Sequence, residues 1–154
     1  MIVEPTYIDQ PAFTILGVVA SAAPGSHDYE RLWLAFDALA EHVRPLSADG
    51  CYYGAHVPGA SPDVVDYVAG MAVADGVADA VGLVARVVPA SRYAVFPCTV
   101  ATIPRTYAHI QRAWRPPEGY AIDHTRADLE VYSPASAGPD APVEIRVPLC
   151  RTGS

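Results

Sequence analysis

The stretch RADLEVYS, residues 126–133, alternates Leu129 and Val131 on one side with Asp128, Glu130 and Tyr132 on the other, the period-two pattern of a half-buried strand. Its polar side either looks at water, with Glu130 paired to Arg126 or Arg146, or lines a cavity where the carboxylate waits for a partner. Similar patterns predict strands in FTILGVVA (13–20), CYYGAHV (51–57), VDYVAGMAV (65–73), SRYAVFPCTV (91–100) and VEIRVPL (143–149). Two stretches carry helical spacing instead. In SHDYERLWLAFDALAEHVRP (26–45), Tyr29, Leu32, Phe36, Leu39 and Val43 form one stripe, Ser26 can cap the start, Asp28 and Glu30 suit its positive end, and Pro45 stops it. In TIPRTYAHIQRAWRPP (102–117), Ile103, Tyr107, Ile110 and Trp114 share a stripe, Pro104 sits in the first turn, and Pro116 and Pro117 lie beyond the end.

The element order is therefore strand, helix, strand, strand, then the same again. Residues 13–73 and 92–149 read as two copies of one unit, a duplication of element order rather than of residue identity. Neither copy could cover its sheet alone, so a single α+β domain over 1–154 is expected. The Ala- and Val-rich segment 74–90 divides the copies and fits either a short strand or a covering turn. SPASAGPDAP (133–142) reads as a hairpin loop between the last two strands.

Composition narrows the function classes. A chain of 154 residues buries about 68–70% of its unfolded surface, enough for one core without staples. Hydrophobic residues at 51% and charged residues at 18% are globular proportions, and the apolar runs are too short to cross a bilayer. The N-terminal segment carries acids and prolines where a secretory signal needs a basic flank, so a cytoplasmic location is expected. Cys51, Cys98 and Cys150 are odd in number and far apart, and fit small buried hydrophobes. His27, His42, His56, His109 and His124 lack metal-ligand spacing and fit surface or packing roles; no metal or cofactor is expected. The net charge is -7, and every basic residue is an arginine, none clustered. Such a chain repels nucleic acid and attracts cationic small molecules.

Two fingerprints stand together: YYGAHV followed by DYVAGMAV, and SRYAVF followed by TYAHIQRAW, GY, DLEVY and VEIRVPL. This combination resembles the gyrase-inhibitor-like (GyrI-like) small-molecule-binding domain, also found as the effector-binding half of multidrug-responsive bacterial transcription regulators. The likeness runs from about Phe13 to Leu149 and lies in the order of the motifs. It implies duplicated strand-helix-strand-strand units with pseudo-two-fold symmetry, a curved antiparallel sheet carrying two helices, and a ligand cleft between the units. It also implies that Glu130 stands at the cleft floor, where relatives meet cationic, often aromatic, ligands, with Tyr53 and Tyr67 as cavity wall. Tyr107 and Trp114 join the candidates because their helix could roof such a cavity. The sequence departs from the family pattern in FPCTVATIP, which lacks the glycine often found after the fourth long strand. No helix-turn-helix segment precedes the first unit, so no direct contact with nucleic acid is expected, nor any with membrane.

Burying an ionised carboxylate costs several kcal/mol, so an inward Glu130 must hold a cation or a proton. The first function expected is a stand-alone module that captures lipophilic, cationic or polyaromatic compounds and acts by sequestration or through a protein partner. The alternative, open to the same residue, is a hydrolase of strained cyclopropane-bearing genotoxins in which Glu130 serves as general base for water. A third reading, an inhibitor of DNA gyrase, follows from relatives of this size and has no local mark in the chain.

Overall fold

A computed structural model of the protein describes residues 4–133 and 138–153. Among these residues nine strands and three helices follow in the order β1 (Thr6–Gln10), β2 (Phe13–Ala22), α1 (Tyr29–Asp37), α2 (Ala40–Val43), β3 (Ser47–Pro58), β4 (Val65–Val73), β5 (Val84–Val88), β6 (Ser91–Thr99), α3 (Ile103–Arg112), β7 (Tyr120–Ile122), β8 (Asp128–Tyr132) and β9 (Pro142–Arg151). All the strands join one antiparallel sheet, ordered β1-β6-β9-β8-β3-β4-β2-β5, with β7 paired to the end of β9. The class is α+β.

That order reads the same from either edge once β1, β2, β3 and β4 are exchanged for β5, β6, β8 and β9. Each unit contributes three adjacent strands, and the units meet where β3 lies against β8. The first strand of each set crosses over: β1 pairs with β6, and β5 pairs with β2. The six strands read from the sequence are present. The two that widen the sheet were harder to see: β1 is a five-residue, largely exposed edge strand, and β5 occupies the segment for which a strand or a turn fitted equally. β7, only three residues long, follows the chain turn at Gly119. The tip of the loop expected at 133–142, residues 134–137, lies outside the described residues.

Antiparallel partners point to the same face, so the register assigns side chains to sides. Phe96, Ile145, Glu130, Gly54, Ala69 and Val18 form one row across six strands. On that face Phe36 of α1 packs with Leu16, Tyr67 and Met71, while Ile110 of α3 packs with Phe96, Ile145 and Val147. Both helical layers therefore cover the same side. The opposite side closes over a separate core of Ile15, Tyr53, Val68, Val88, Tyr93 and Leu129.

The first helix differs from its expected form in two ways. Asp28, not Ser26, caps it, with Oδ1 accepting the Arg31 backbone N–H at 3.2 Å. Ser26 instead closes a turn, its N–H donating to the Ala23 carbonyl, and that turn carries Gly25 at a φ of 78°. The helix also breaks after Asp37, where the Leu39 N–H tightens onto the Phe36 carbonyl at 2.8 Å. Phe36, Ala40 and Val43 nevertheless stay fully buried on one side. The hydrophobic stripe reports which side chains meet the sheet, and it is blind to a local change from i→i+4 to i→i+3 bonding. At the departure from the family pattern, a short 3₁₀ turn, Val100–Thr102, leads into α3 and is capped reciprocally by Thr99 and Thr102.

Candidate ligand-binding site

A cavity of about 630 Å³ opens on the helical side where the two units meet. Its walls come from corresponding parts of each unit. Helix α1 presents Tyr29 and Trp33, one turn apart, and α3 presents Ile103 and Tyr107, also one turn apart. The sheet contributes His56 from β3, Tyr67 from β4, and Asp128, Glu130 and Tyr132 from β8. The polar side of DLEVY therefore faces the cavity with all three of its residues.

Glu130 is 6% exposed and accepts three hydrogen bonds, each from a tyrosine. Oε1 accepts from Tyr67 at 3.0 Å and from Tyr132 at 2.7 Å, and Oε2 accepts from Tyr107 at 3.0 Å. The direction of one bond is fixed by chemistry. Trp33 Nε1–H can only donate, and it donates to the Tyr67 hydroxyl at 3.1 Å, so that hydroxyl passes its own proton toward Glu130. Burial first, and then the charge of Glu130, raise the Tyr67, Tyr107 and Tyr132 phenols above the ordinary value, which keeps all three as donors. Among the described residues no arginine pairs with Glu130 or lines the cavity; Arg146 goes to Glu144 at 2.7 Å instead.

Gly54 makes this cluster sterically possible. It lies opposite Glu130 on β3, and a Cβ there would overlap the Tyr67 hydroxyl and stand 2.8 Å from Glu130 Oε1. The glycine in YYGAHV thus leaves the space that two polar side chains from neighbouring strands occupy.

Around the carboxylate stands an aromatic wall. Tyr29 and Tyr67 meet at 4.8 Å between ring centres, His56 and Tyr67 at 4.8 Å, and Trp33 and Tyr132 at 5.4 Å, all near perpendicular. His56 Nε2 is held by the Tyr29 hydroxyl at 3.0 Å. Burial lowers the His56 pKa, outweighing the opposite pull of Glu130, with nearby His27 adding to the lowering. Asp128 and Glu30 add two further carboxylates to the wall.

Three candidates from the sequence, Glu130, Tyr67 and Tyr107, come together here. Tyr53 does not. Strand alternation turns it to the opposite side from Gly54, where it packs on Phe13 and donates to Asp49 at 2.6 Å. Trp114 also lies apart: it follows the end of α3 and packs edge-on against Phe96 at 5.1 Å in the second unit's core. Sequence reasoning overlooked Trp33, Tyr29 and His56. The i→i+4 spacing of Tyr29 and Trp33 was a usable signal, but the first was taken up by the core stripe and the second lay beside it. His56, assigned to surface or packing, lines the cavity. Cys51, Cys98 and Cys150 are partly rather than fully buried. Among the described residues no cluster of histidine, cysteine or carboxylate groups has the arrangement of a metal site, and no helix is long and apolar enough to span a membrane.

Asp128 carries a testable electrostatic load. Burial above all, with Glu130 adding and His124 opposing, pushes its pKa from 3.8 up to about 6. A folded-state pKa above the unfolded one means that ionising Asp128 costs the folded state, fully above pH 6 and not at all once pH falls below the unfolded value. Asp128→Asn is therefore expected to stabilise the protein at pH 7.5 by up to about 3 kcal/mol, at about 1.4 kcal/mol per pKa unit. The gain should shrink between about pH 6 and pH 4 and vanish below, as read by urea unfolding across that range. A variant no more stable than wild type at pH 7.5 would show that the carboxylate is not strained.

Comparison with known proteins supports the same architecture. The structure of SAV2435 bound to tetraphenylphosphonium is similar at a TM-score of 0.72 and 14% identity, covering 96% of this chain and 94% of that one. An integron cassette protein from Vibrio cholerae, VCH_CASS2, is similar at 0.67 and 17% identity, covering 97% of each chain. The C-terminal domain of EcmrR is similar at 0.66 and 13% identity, covering 97% of this chain and 98% of that one. No curated protein matches the chain. The family model for the GyrI-like small-molecule-binding domain matches residues 3–149, nearly the whole length, and the chain belongs to that family.

Proposed function

We propose that the protein captures lipophilic organic cations between its two units, near their pseudo-two-fold axis, with Glu130 as the counter-charge at the cavity floor. The observation that carries this reading is a buried carboxylate held by three tyrosine hydroxyls with no arginine paired to it or lining its cavity among the described residues. Three hydroxyl donors hold Glu130 in position while leaving its charge uncancelled, so a cation entering the cavity supplies what the fold omits. At about 4 Å and an effective dielectric near 20 the attraction is about 4 kcal/mol, and each aromatic face in contact with the cation adds about 0.5–2 kcal/mol. Asp128 and Glu30 reinforce the same sign. That SAV2435 has been captured with tetraphenylphosphonium points to the same ligand class.

A general-base role for Glu130 is less well supported by the geometry. Both of its oxygens already carry hydroxyl donors, which suits a fixed charge better than a group that must hold and deprotonate a water.

The test uses two ions of matched shape and opposite charge. Calorimetric titration should show tetraphenylphosphonium binding at least about a hundredfold more tightly than tetraphenylborate, a selectivity within the Coulomb estimate. Equal affinities would mean that the cavity reads shape and hydrophobicity alone.

A further inference from the structure

A second cavity, of about 350 Å³, adjoins the first and shares with it a wall made by His56, Val65 and Asp128. Its chemistry is different. Arg126 and His124 line it together with Ser61, whereas the larger cavity has no arginine in its wall. Among the described residues Arg126 makes no salt bridge, although Asp128 is only two residues away; ion pairs there join Arg86 to Asp66, Arg92 to Asp9 and Arg146 to Glu144. A guanidinium beside a concave surface, with no carboxylate in ion-pair contact, mirrors the situation of Glu130 on the other side of the shared wall. Arg126 and Glu130 lie four residues apart along the chain leading into β8, a separation of at most about 13 Å.

We infer that the second cavity is an acid-binding subsite, and that the ligands of this protein include amphiphilic zwitterions whose aromatic onium head sits at Glu130 and whose carboxylate reaches Arg126. The inference rests on the cation reading of the main cavity and extends it to the ligand's other end. Arg126 offers a planar fork of donors to the carboxylate, Ser61 a hydroxyl and His124 a ring N–H. Asp128 lines both cavities, so its charge opposes an acid held near the junction. The arm must be long enough to pass it. The subsite therefore selects by arm length as well as by charge.

The probes are carboxypentyl-triphenylphosphonium and its methyl ester, which share the head and differ in the charge of the arm, together with the shorter carboxyethyl pair. Calorimetry on the wild type should give about threefold or greater preference for the long acid over its ester, and no preference for the short acid over its own ester. Arg126→Gln should weaken the long acid about tenfold while changing the ester by less than about twofold, the loss of one charge-assisted pair. Arg126→Lys should keep most of the acid's affinity. An ester preferred over the long acid by the wild type, or an Arg126→Gln effect equal on both, overturns the subsite while leaving the cation reading intact. Failure of both esters and acids to bind the wild type removes the cation reading itself, and the subsite with it.

Discussion

Gly54→Ala is expected to lower both stability and ligand affinity, far more than a single added methyl on a strand would ordinarily do. Alanine is tolerated in strand interiors, and the backbone at Gly54 is ordinary extended strand, so the effect comes from space alone. The new Cβ would overlap the Tyr67 hydroxyl and press on Glu130 Oε1. Retreat is opposed at Tyr67, which is fully buried and tied by hydrogen bonds to Trp33 and to Glu130. Overpacking of this kind costs about 1–3 kcal/mol. Displacing the hydroxyl also breaks the bond that orients the carboxylate, so tetraphenylphosphonium affinity should fall by about tenfold or more. Thermal unfolding and calorimetry measure the two effects. Adding Tyr67→Phe removes the nearest of the atoms that the methyl meets, so the double variant should be more stable than the sum of the single changes implies. Strict additivity, or a Gly54→Ala protein with wild-type affinity, would show that Gly54 does not make room for the cluster.

The fold was readable in the chain because long strands and amphipathic helices announce themselves by period. The six central strands and the sites of the helices follow from patterns such as ILGVV, YVAGMAV and the Ile103, Tyr107, Ile110 stripe. β1 and β7 escaped because a short edge strand buries too little to show alternation. The site was legible in part. Period two on one strand placed Asp128, Glu130 and Tyr132 together without any knowledge of the fold. It could not relate Tyr53 to Glu130, because the facing of one strand relative to another depends on register, and β3 slips register between Ser47 and Tyr52. One residue of difference separates Tyr53, in the far core, from Gly54, in the row of Glu130. Trp114 failed for a related reason: it continues the helical stripe on paper, but α3 ends at Arg112, and the indole turns into the core beneath.

The second large effect is expected from Glu130→Gln. The replacement keeps the shape and one acceptor oxygen but turns the other into an amide donor, so Tyr107 or the pair Tyr67 and Tyr132 must find a new acceptor. What it removes is the one charge at the centre of the aromatic wall. Asp128 and Glu30 remain in the wall, and the cavity opening admits solvent, so only part of the roughly 4 kcal/mol Coulomb term should be lost. A loss of at least about 1.4 kcal/mol, tenfold in affinity for a lipophilic cation, is the expected floor. A neutral aromatic ligand should lose much less.

The most direct measurement is the affinity of tetraphenylphosphonium and of tetraphenylborate for wild type and Glu130→Gln, four titrations under one buffer. The expected result is that the variant binds the cation more than about tenfold more weakly while the anion is held no less tightly, so that selectivity collapses from the Glu130 side. If the substitution shifts both ions by the same factor, Glu130 maintains the shape of the cavity and its charge is not what the ligand meets.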